Sequence, residues 1–309
     1  MFRKSNILVP TDFSTYANYA LKYAVAMAKQ FGATLHFAHV LDRAALAGVR
    51  GNDMWLGETE THAVIESMRE HAASRLAHLR QIADDEGIAS VEHIVLGGPA
   101  SEILRLTEQT DSTLIVMATH GRSGVEHLVF GSVAERIVRQ SPVPVLSVKH
   151  PEREFVKEYD LSLELKRILF PTDFSPYSDK GLPFAKALAA EFGATLVIFH
   201  ATQVPLVLPE VLPDSAIQLG PQLEDESREL VKKMCADIDG IAVEGKVRIG
   251  AAHREIAAYA ADTAVDLIVI PTHGRSGLGH ALFGSVAEKV VRVARCPVLT
   301  IRPEYGDKP

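Results

Sequence analysis

The sequence predicts an α/β protein built from two similar doubly wound domains, each a parallel sheet with helices on both faces. One observation is a duplication: the stretches Ala118–Ile137 and Pro271–Val290 share thirteen of twenty residues. The other is that short apolar runs alternate with amphipathic helical segments along both halves. Alternation of this kind is typical of parallel sheets, because parallel neighbours are joined by crossover helices.

The duplication extends along the whole chain and fixes the expected domains. Pro10–Ser14 recurs as Pro171–Ser175 at an offset of 161 residues, whereas the later glycine-rich stretches recur at an offset of 153. A chain of 309 residues has room for two domains that each bury a core. We expect domains at 1–149 and 167–309, joined by a charged linker at 150–166.

Each element of the first half has a local signal. Pro10 stops the first apolar run, and Gly32 and Gly87 end the first two helical segments. The predicted strands are Asn6–Val9, Thr34–Val40, Val91–Leu96, Thr113–Met117 and Val143–Val148. The predicted helices are Tyr16–Phe31, Thr59–Glu86, Ala100–Gln109 and Ser132–Gln140. The second half repeats this order from Arg167 to Arg302, with a loop rich in proline and leucine at Gln203–Pro221.

Composition excludes several classes of protein. A formal charge of −7 and a pI near 6.0 disfavour a nucleic-acid partner, which usually needs a basic face. The two cysteines, Cys235 and Cys296, form neither a disulfide framework nor a zinc pattern. We find no signal-peptide core and no apolar run long enough to span a bilayer. The expected location is therefore the cytoplasm, with no membrane partner.

The duplicated stretch has the form of a phosphate-binding loop. It is rich in glycine and lies between a predicted strand and a predicted helix, where backbone N–H groups can face an anion. Nine residues separate Gly121 from Gly131, and the same spacing recurs between the corresponding glycines of the second half. Ser132 followed by Glu135 also matches a capping box, so helix capping alone would explain that serine. It does not explain the repeated glycine spacing.

These residues resemble the universal stress protein family, and the resemblance covers nearly all of both halves. Nucleotide-binding members carry Gly-x2-Gly-x9-Gly-Ser/Thr. The second and third glycines and the serine match here, while Ala118 and Pro271 replace the first glycine. The resemblance implies five strands in the order 3-2-1-4-5 and ATP, accompanied by Mg2+, as ligand. The expected nucleotide-binding residues are Asp12, Val40, Ala118, Gly121, Arg122, Gly131, Ser132 and Val133, then Asp173, Gly274, Arg275, Gly284, Ser285 and Val286.

Several of these residues also have an ordinary structural explanation. Asp12 and Asp173 each precede a helix, where a cap or turn role is as well supported as contact with a nucleoside or its metal. Arg122 and Arg275 suit a phosphate oxygen, but surface arginine is the simpler interpretation. Pro271 has no N–H to donate, whereas Ala118 keeps its own, so tighter nucleotide binding is expected in the first half.

Catalysis has little support in the sequence. The histidines of the loops lack metal-ligand spacing, so no metal site of the protein itself is predicted. A P-loop with its lysine and a nucleophile elbow are both missing, so no catalytic residue is assigned and at most weak ATPase activity is expected.

Two functions therefore stay open. The leading one is a cytoplasmic stress-response protein that binds ATP as a regulatory or sensor module for an unidentified protein partner. The alternative is an interaction module, or a carrier of a small apolar ligand, supported by Ala118, Pro271 and the apolar Gln203–Pro221 stretch. The last strand of each half would be an exposed edge, so we expect the halves to pair within the chain, and such edges also allow a homodimer.

Overall fold

The structure is a computed structural model that describes residues 4–43, 58–119, 130–149, 154–157, 160–203, 219–272 and 284–302. It divides into two compact units, whose main bodies are Met1–Lys149 and Glu164–Pro309. Both units have the predicted α/β class. None of the helices in the described part of the chain combines the length and the apolar character that a membrane crossing requires.

The first unit alternates strands and helices as predicted. Its strands are β1 (Asn6–Pro10), β2 (Thr34–Asp42), β3 (Ser90–Gly97), β4 (Ser112–Ala118) and β5 (Val145–Val148). Its helices are α1 (Thr15–Phe31), α2 (Glu58–Asp85), α3 (Pro99–Gln109) and α4 (Ser132–Gln140). β5 begins two residues later than predicted, directly after Pro144, which has no N–H to donate to a neighbouring strand.

All pairings in the first sheet are parallel, in the order β3-β2-β1-β4-β5. Successive residues of β1 are buried: Ile7 and Leu8 have no exposed surface and Val9 has 1%. Since neighbouring residues of a strand point to opposite faces, both faces of the sheet are covered. The predicted order 3-2-1-4-5 is confirmed for this unit.

The bounds of α1 follow from its end residues. The Ser14 hydroxyl accepts a hydrogen bond from the N–H of Ala17 at 3.2 Å, which caps the start of the helix. Gly32 ends it in the left-handed region, with φ of 63°, and donates its N–H to the carbonyl of Ala28. The predicted stop at Gly32 is therefore correct.

The second unit repeats this architecture. Its strands are β6 (Arg167–Pro171), β7 (Thr195–Thr202), β8 (Val243–Ile249), β9 (Leu267–Pro271) and β10 (Val298–Ile301). Its helices are α5 (Pro176–Asp179), α6 (Leu182–Phe192), α7 (Leu219–Ala236), α8 (Ala252–Asp262) and α9 (Ser285–Val293). The strand order is β8-β7-β6-β9-β10, all parallel.

Two details of the second unit differ from the predictions. The counterpart of α1 is split into α5 and α6, because Pro183 lies in the first turn of α6 and cannot donate a hydrogen bond that would continue α5. The stretch predicted as a loop, Gln203–Pro221, ends in helix, since α7 already begins at Leu219. Residues 204–218 lie outside the described part of the chain.

The predicted linker contains local order of its own. Val156 and Leu163 form an isolated antiparallel bridge, and the N–H of Lys157 donates to the carbonyl of Ser162 at 3.0 Å. The Asp160 carboxylate accepts the N–H of Ser162 at 2.9 Å, and this hydrogen bond lowers the pKa of that carboxyl. The sequence showed only a charged segment without periodicity, because a single turn has none.

Pro271 packs against Gly181, the residue that precedes α6. A Cβ added to Gly181 would lie 2.7 Å from Cγ of Pro271 and 3.2 Å from the Phe170 ring, so the proline leaves room only for a glycine. The aligned positions of the first unit hold Ala20 and Ala118. One pair of positions thus carries alanine with alanine in one half and glycine with proline in the other.

We expect Gly181→Ala to destabilise the second unit by about 1–3 kcal/mol, because the new methyl group overlaps the Pro271 ring. Gly181 has φ of −81°, so the backbone itself accepts alanine and the cost is steric. Pro271→Ala in the same chain should recover at least about 1 kcal/mol of that loss, measured by urea unfolding as a double-mutant cycle. Additive effects of the two substitutions would contradict the proposed contact.

Candidate functional site

Each sheet opens into a crevice at the carboxyl ends of its two central strands. In the first unit β1 and β4 pair as far as Leu8 and Ile115, and both strands then continue, to Pro10 and Ala118. In the second unit β6 and β9 pair only through Ile168 and Leu169. The chain leaves these central strands toward opposite sides of the sheet, which is where open α/β sheets bind ligands.

A tight turn after β1 holds Asp12 at this crevice. The Asp12 carboxylate accepts the N–H of Ser14 at 2.9 Å, and the Thr11 hydroxyl accepts the N–H of Phe13 at 3.0 Å. Phe13 has φ of 62°, a conformation that is unfavourable for an aromatic residue. The Asp12 side chain therefore supports the turn, and Ser14 rather than Asp12 caps the helix.

His39 and Arg75 complete the surroundings of this turn. Nδ1 of His39 lies 2.8 Å from the carbonyl oxygen of Thr11, and its ring centroid lies 4.5 Å from that of Phe13. The Arg75 guanidinium on α2 lies 4.4 Å from the centroid of the Phe13 ring and donates to the Phe13 carbonyl oxygen at 3.0 Å. The Arg75 guanidinium therefore places a positive charge beside the crevice of the first unit.

The fourth strand leads directly to the predicted phosphate loop. The N–H of Thr119 donates to the Val148 carbonyl at 3.0 Å, and the Thr119 carbonyl accepts the N–H of Gly131 at 3.0 Å. Because successive amides of a strand face opposite sides, the N–H of Ala118 faces away from β5 and toward β1. Ala118 thus places a backbone donor on the side of the crevice.

The helix after the loop begins differently from the capping-box prediction. Gly131 is the residue that precedes the first turn of α4, and Ser132 is already helical, with an exposed side chain. The N–H groups of Ser132, Val133 and Ala134 have no acceptor within the helix, as at any helix start. Together with the helix dipole they form a site that favours an anion.

The glycine at this junction is explained by close approach, not by its backbone angles. Gly131 has φ of −63°, which any residue adopts. A Cβ there would lie 3.2 Å from the carbonyl oxygen of Thr119, a tight but not prohibitive contact. The space in front of the helix start is therefore kept clear by the missing side chain.

In the second unit a cavity of about 540 Å³ occupies the same place. All four predicted site residues of this half that the structure describes line it: Asp173, Gly284, Ser285 and Val286. The hydrogen bonds that define the first-unit site recur, since Thr272 donates to Ile301 at 2.9 Å and accepts from Gly284 at 2.7 Å. Gly121, Arg122, Gly274 and Arg275 lie outside the described residues.

The turn before α5 repeats that of the first unit. Asp173 accepts the N–H of Ser175 at 3.0 Å, Thr172 accepts the N–H of Phe174 at 3.0 Å, and Phe174 has φ of 58°. His200 again lies 2.8 Å from the carbonyl oxygen of Thr172, and its ring centroid lies 4.4 Å from that of Phe174. Burial and the nearby Asp173 carboxylate raise the pKa of Asp179.

Comparison with known proteins agrees with this duplicated site. The model of the Universal stress protein family matches residues 4–149 and, a second time, residues 164–302. The chain belongs to the universal stress protein family.

Similar proteins include both single and tandem forms of this family. Universal stress protein MJ0531 of Methanocaldococcus jannaschii is 32% identical over 148 residues, covering 48% of this chain and 84% of that protein. Universal stress protein Slr1230 of Synechocystis sp. is 25% identical over 313 residues, covering 96% of this chain and 99% of the relative. A crystal structure of a universal stress protein from Archaeoglobus fulgidus superimposes with a TM-score of 0.70, at 23% identity and 97% coverage of both chains.

Several residues at the site of this universal stress protein were missed from the sequence. His39 and His200 were not predicted as site residues, although the offset of 161 residues aligns them and both contact the turn that holds the aspartate. The same offset aligns the predicted Val40 with Ala201, which lines the second cavity. Glu226 also lines that cavity, but it lies on a helix that periodicity alone cannot orient toward a site.

One further pair of histidines lies on the first sheet. Nδ1 of His36 and Nε2 of His93 are 3.0 Å apart across β2 and β3, and their rings are stacked. Burial lowers the pKa of both imidazoles, and the neighbouring His93 lowers that of His36 further. In the described part of the chain no three side chains of His, Cys, Asp or Glu gather into a metal site.

We expect this pair to make the first unit less stable in acid. Unfolded histidine has a pKa of about 6.5, and the folded value is lower, so the unfolded state takes up protons first as the pH falls. The free energy of unfolding should therefore decline from about pH 6.5 downward. His36→Val, which copies Val197 of the second half, should reduce the shift in urea midpoint between about pH 7.5 and about pH 5.5.

The matched control is His78→Gln, which removes an exposed histidine of α2 and should leave the full shift in place. An equal shift in His36→Val and in the unchanged protein would show that the pair does not titrate in this range.

Proposed function

We propose that this chain is a stress-response protein that binds ATP, accompanied by Mg2+, and acts as a regulatory or sensor module. One observation carries the proposal. At the crevice of each unit, the N–H of a glycine donates to the carbonyl of the threonine that follows the fourth strand, and a helix begins directly after this glycine. The two glycines are Gly131, before α4, and Gly284, before α9. These glycines and the serines that follow them match the motif of nucleotide-binding universal stress proteins.

The chemistry of a triphosphate suits the first-unit site. Free N–H groups at a helix start donate to phosphate oxygens, and the helix dipole favours their charge. The N–H of Ala118 faces the crevice, and the Arg75 guanidinium adds a positive charge beside Phe13. The Asp12 carboxylate, which is held by its turn, would accept hydrogen bonds from the nucleoside or contact the accompanying Mg2+.

Binding is favoured over turnover. Hydrolysis requires a group that orients or deprotonates the attacking water, and the described residues around Gly131 offer backbone donors but no positioned base. Any ATP hydrolysis would rest on Mg2+ and backbone amides alone, and we expect it to be slow. Residence in the cytoplasm and a protein partner that reads the bound state belong to the same proposal. Pairing of the two halves stays a prediction.

A non-nucleotide role is the second candidate, and one observation favours it. Apolar side chains, among them Leu223, Leu230 and Ile256, line much of the cavity in the second unit. A carrier of a small apolar ligand would use such a cavity directly. Mass spectrometry of whatever is released from the purified, denatured chain distinguishes the candidates: ATP or ADP supports the first, and another compound the second.

Gly131→Val should weaken the tightest ATP-binding step at least about tenfold. The branched side chain would occupy the space in front of the α4 N-terminus and keep the phosphate from its hydrogen bonds there, which are worth about 1.5–3 kcal/mol. Calorimetric titration of the full chain with ATP and Mg2+ measures this. Gly131→Ala should have a smaller effect, since its single methyl group meets only the Thr119 carbonyl.

Ala89→Val is the control, because it adds the same branched side chain at an exposed position directly before β3, at the amino ends of the strands and therefore opposite the crevice. It should leave ATP affinity unchanged. Circular dichroism and urea unfolding must show that each variant folds. Unchanged affinity in a folded Gly131→Val protein would refute the phosphate site.

A further inference from the structure

The described lining of the second-unit cavity is acidic. Among its described lining residues the only charged side chains are carboxylates, those of Asp173 and Glu226. Burial raises the pKa of Asp179, and the nearby Asp173 carboxylate raises it further. In the first unit the corresponding helix places the Arg75 guanidinium over Phe13, whereas Arg228, which aligns with Arg75 at the offset of 153 residues, donates a hydrogen bond to Glu224.

The second unit also lacks a backbone donor that the first unit has. Pro271 ends β9 where Ala118 ends β4, and Thr272, like Thr119, donates its N–H to the last strand. The amide nitrogen of residue 271 therefore faces the crevice, but a proline has no hydrogen there. The glycine at 181 accommodates the proline ring, so this loss is built into the packing of the second unit.

The rest of the cavity suits an uncharged, partly apolar molecule. Phe174, Phe199, Leu223, Leu230 and Ile256 supply apolar surface, and a volume of about 540 Å³ falls in the range of small-molecule sites. The polar groups are few and fixed: the Thr202 hydroxyl donates to Ser227 at 2.9 Å, and Ser227 donates to the Leu223 carbonyl at 2.7 Å. These bonds tie α7 to the end of β7 at the cavity wall.

We propose that the second half binds a nucleoside in preference to a nucleoside triphosphate. An aromatic base would pack against the apolar wall, and the Asp173 carboxylate would accept hydrogen bonds from sugar hydroxyls. Glu226 and the missing donor at Pro271 disfavour a polyphosphate. This inference rests on the proposed nucleotide-binding function and assigns the triphosphate to the first half, so the two halves of one chain would respond to different ligands.

The experiment compares adenosine with ATP and Mg2+ on the full chain, by calorimetry at low and high salt. We expect one tight ATP equivalent, weakened by Gly131→Val, and one adenosine equivalent that Gly131→Val leaves in place. Glu226→Gln should raise the affinity of the second site for ATP about three- to tenfold at low salt and less at high salt, because Glu226 is exposed and its field is screened. Adenosine affinity should change less than ATP affinity, since adenosine carries no charge.

Two further variants separate charge from structure. Glu229→Gln makes the same change on an exposed residue of α7 that lies outside the cavity lining, with Lys232 as its neighbour at 3.7 Å, and should leave both ligands unaffected. Leu230→Trp enlarges a lining residue that is already 48% exposed, so it should remove adenosine binding without unfolding the chain.

The outcomes distinguish this inference from the function on which it rests. Two equivalent ATP sites that are insensitive to Glu226→Gln would overturn the inference and leave ATP binding standing. Adenosine binding that survives Leu230→Trp in a folded protein would also overturn it. If neither ATP nor adenosine bound the folded chain, the proposed function itself would fail, and the inference with it.

Discussion

The backbone of a single threonine holds the candidate site together in each half. Thr119 donates its N–H to the last strand and accepts the N–H of the glycine that starts the next helix, and Thr272 does the same. These two hydrogen bonds fix the end of the fourth strand, the adjacent edge strand and the helix N-terminus relative to one another. In both halves the glycine-rich stretch thus begins and ends at positions that these two hydrogen bonds hold together.

Around this shared frame the two halves have diverged through coupled substitutions. Pro271 packs against Gly181 in the second unit, where an added Cβ would lie 2.7 Å from the proline ring, and the aligned positions of the first unit hold Ala118 and Ala20. The same exchange removes an amide hydrogen from the crevice. The exchange of alanine for proline is therefore steric on one side of the strand and electrostatic on the other, since it removes a hydrogen-bond donor from a cavity whose described charged side chains are the carboxylates of Asp173 and Glu226.

The sequence predicted those features that the duplication, or the spacing of apolar residues in helices and strands, encodes. Strand order, the helix stops at glycine and the position of Gly131 at a helix start follow from pattern and resemblance. The split of α5 from α6 was missed because Pro183 was not weighed against the helical period. The capping-box explanation of Ser132 was wrong, because the helix takes Gly131 as its N-cap and has no side-chain cap hydrogen bond. Glu226 and Arg75 could not be predicted, since their roles depend on how α2 and α7 pack over the sheet.

The strained phenylalanine indicates which part of the site is constant. Phe13 and Phe174 both hold positive φ values, at a cost on the order of 1–2 kcal/mol each, and both are held by the same threonine, aspartate and histidine contacts. A relaxed turn would rotate the aspartate away from the crevice. Both halves keep this strain and the same hydrogen bond from the serine N–H to the aspartate, although the residues around the turn differ, so the feature that the two sites share is a carboxylate in one orientation. In the proposed division of ligands between the halves, the neighbouring helix and the end of the fourth strand distinguish the two sites.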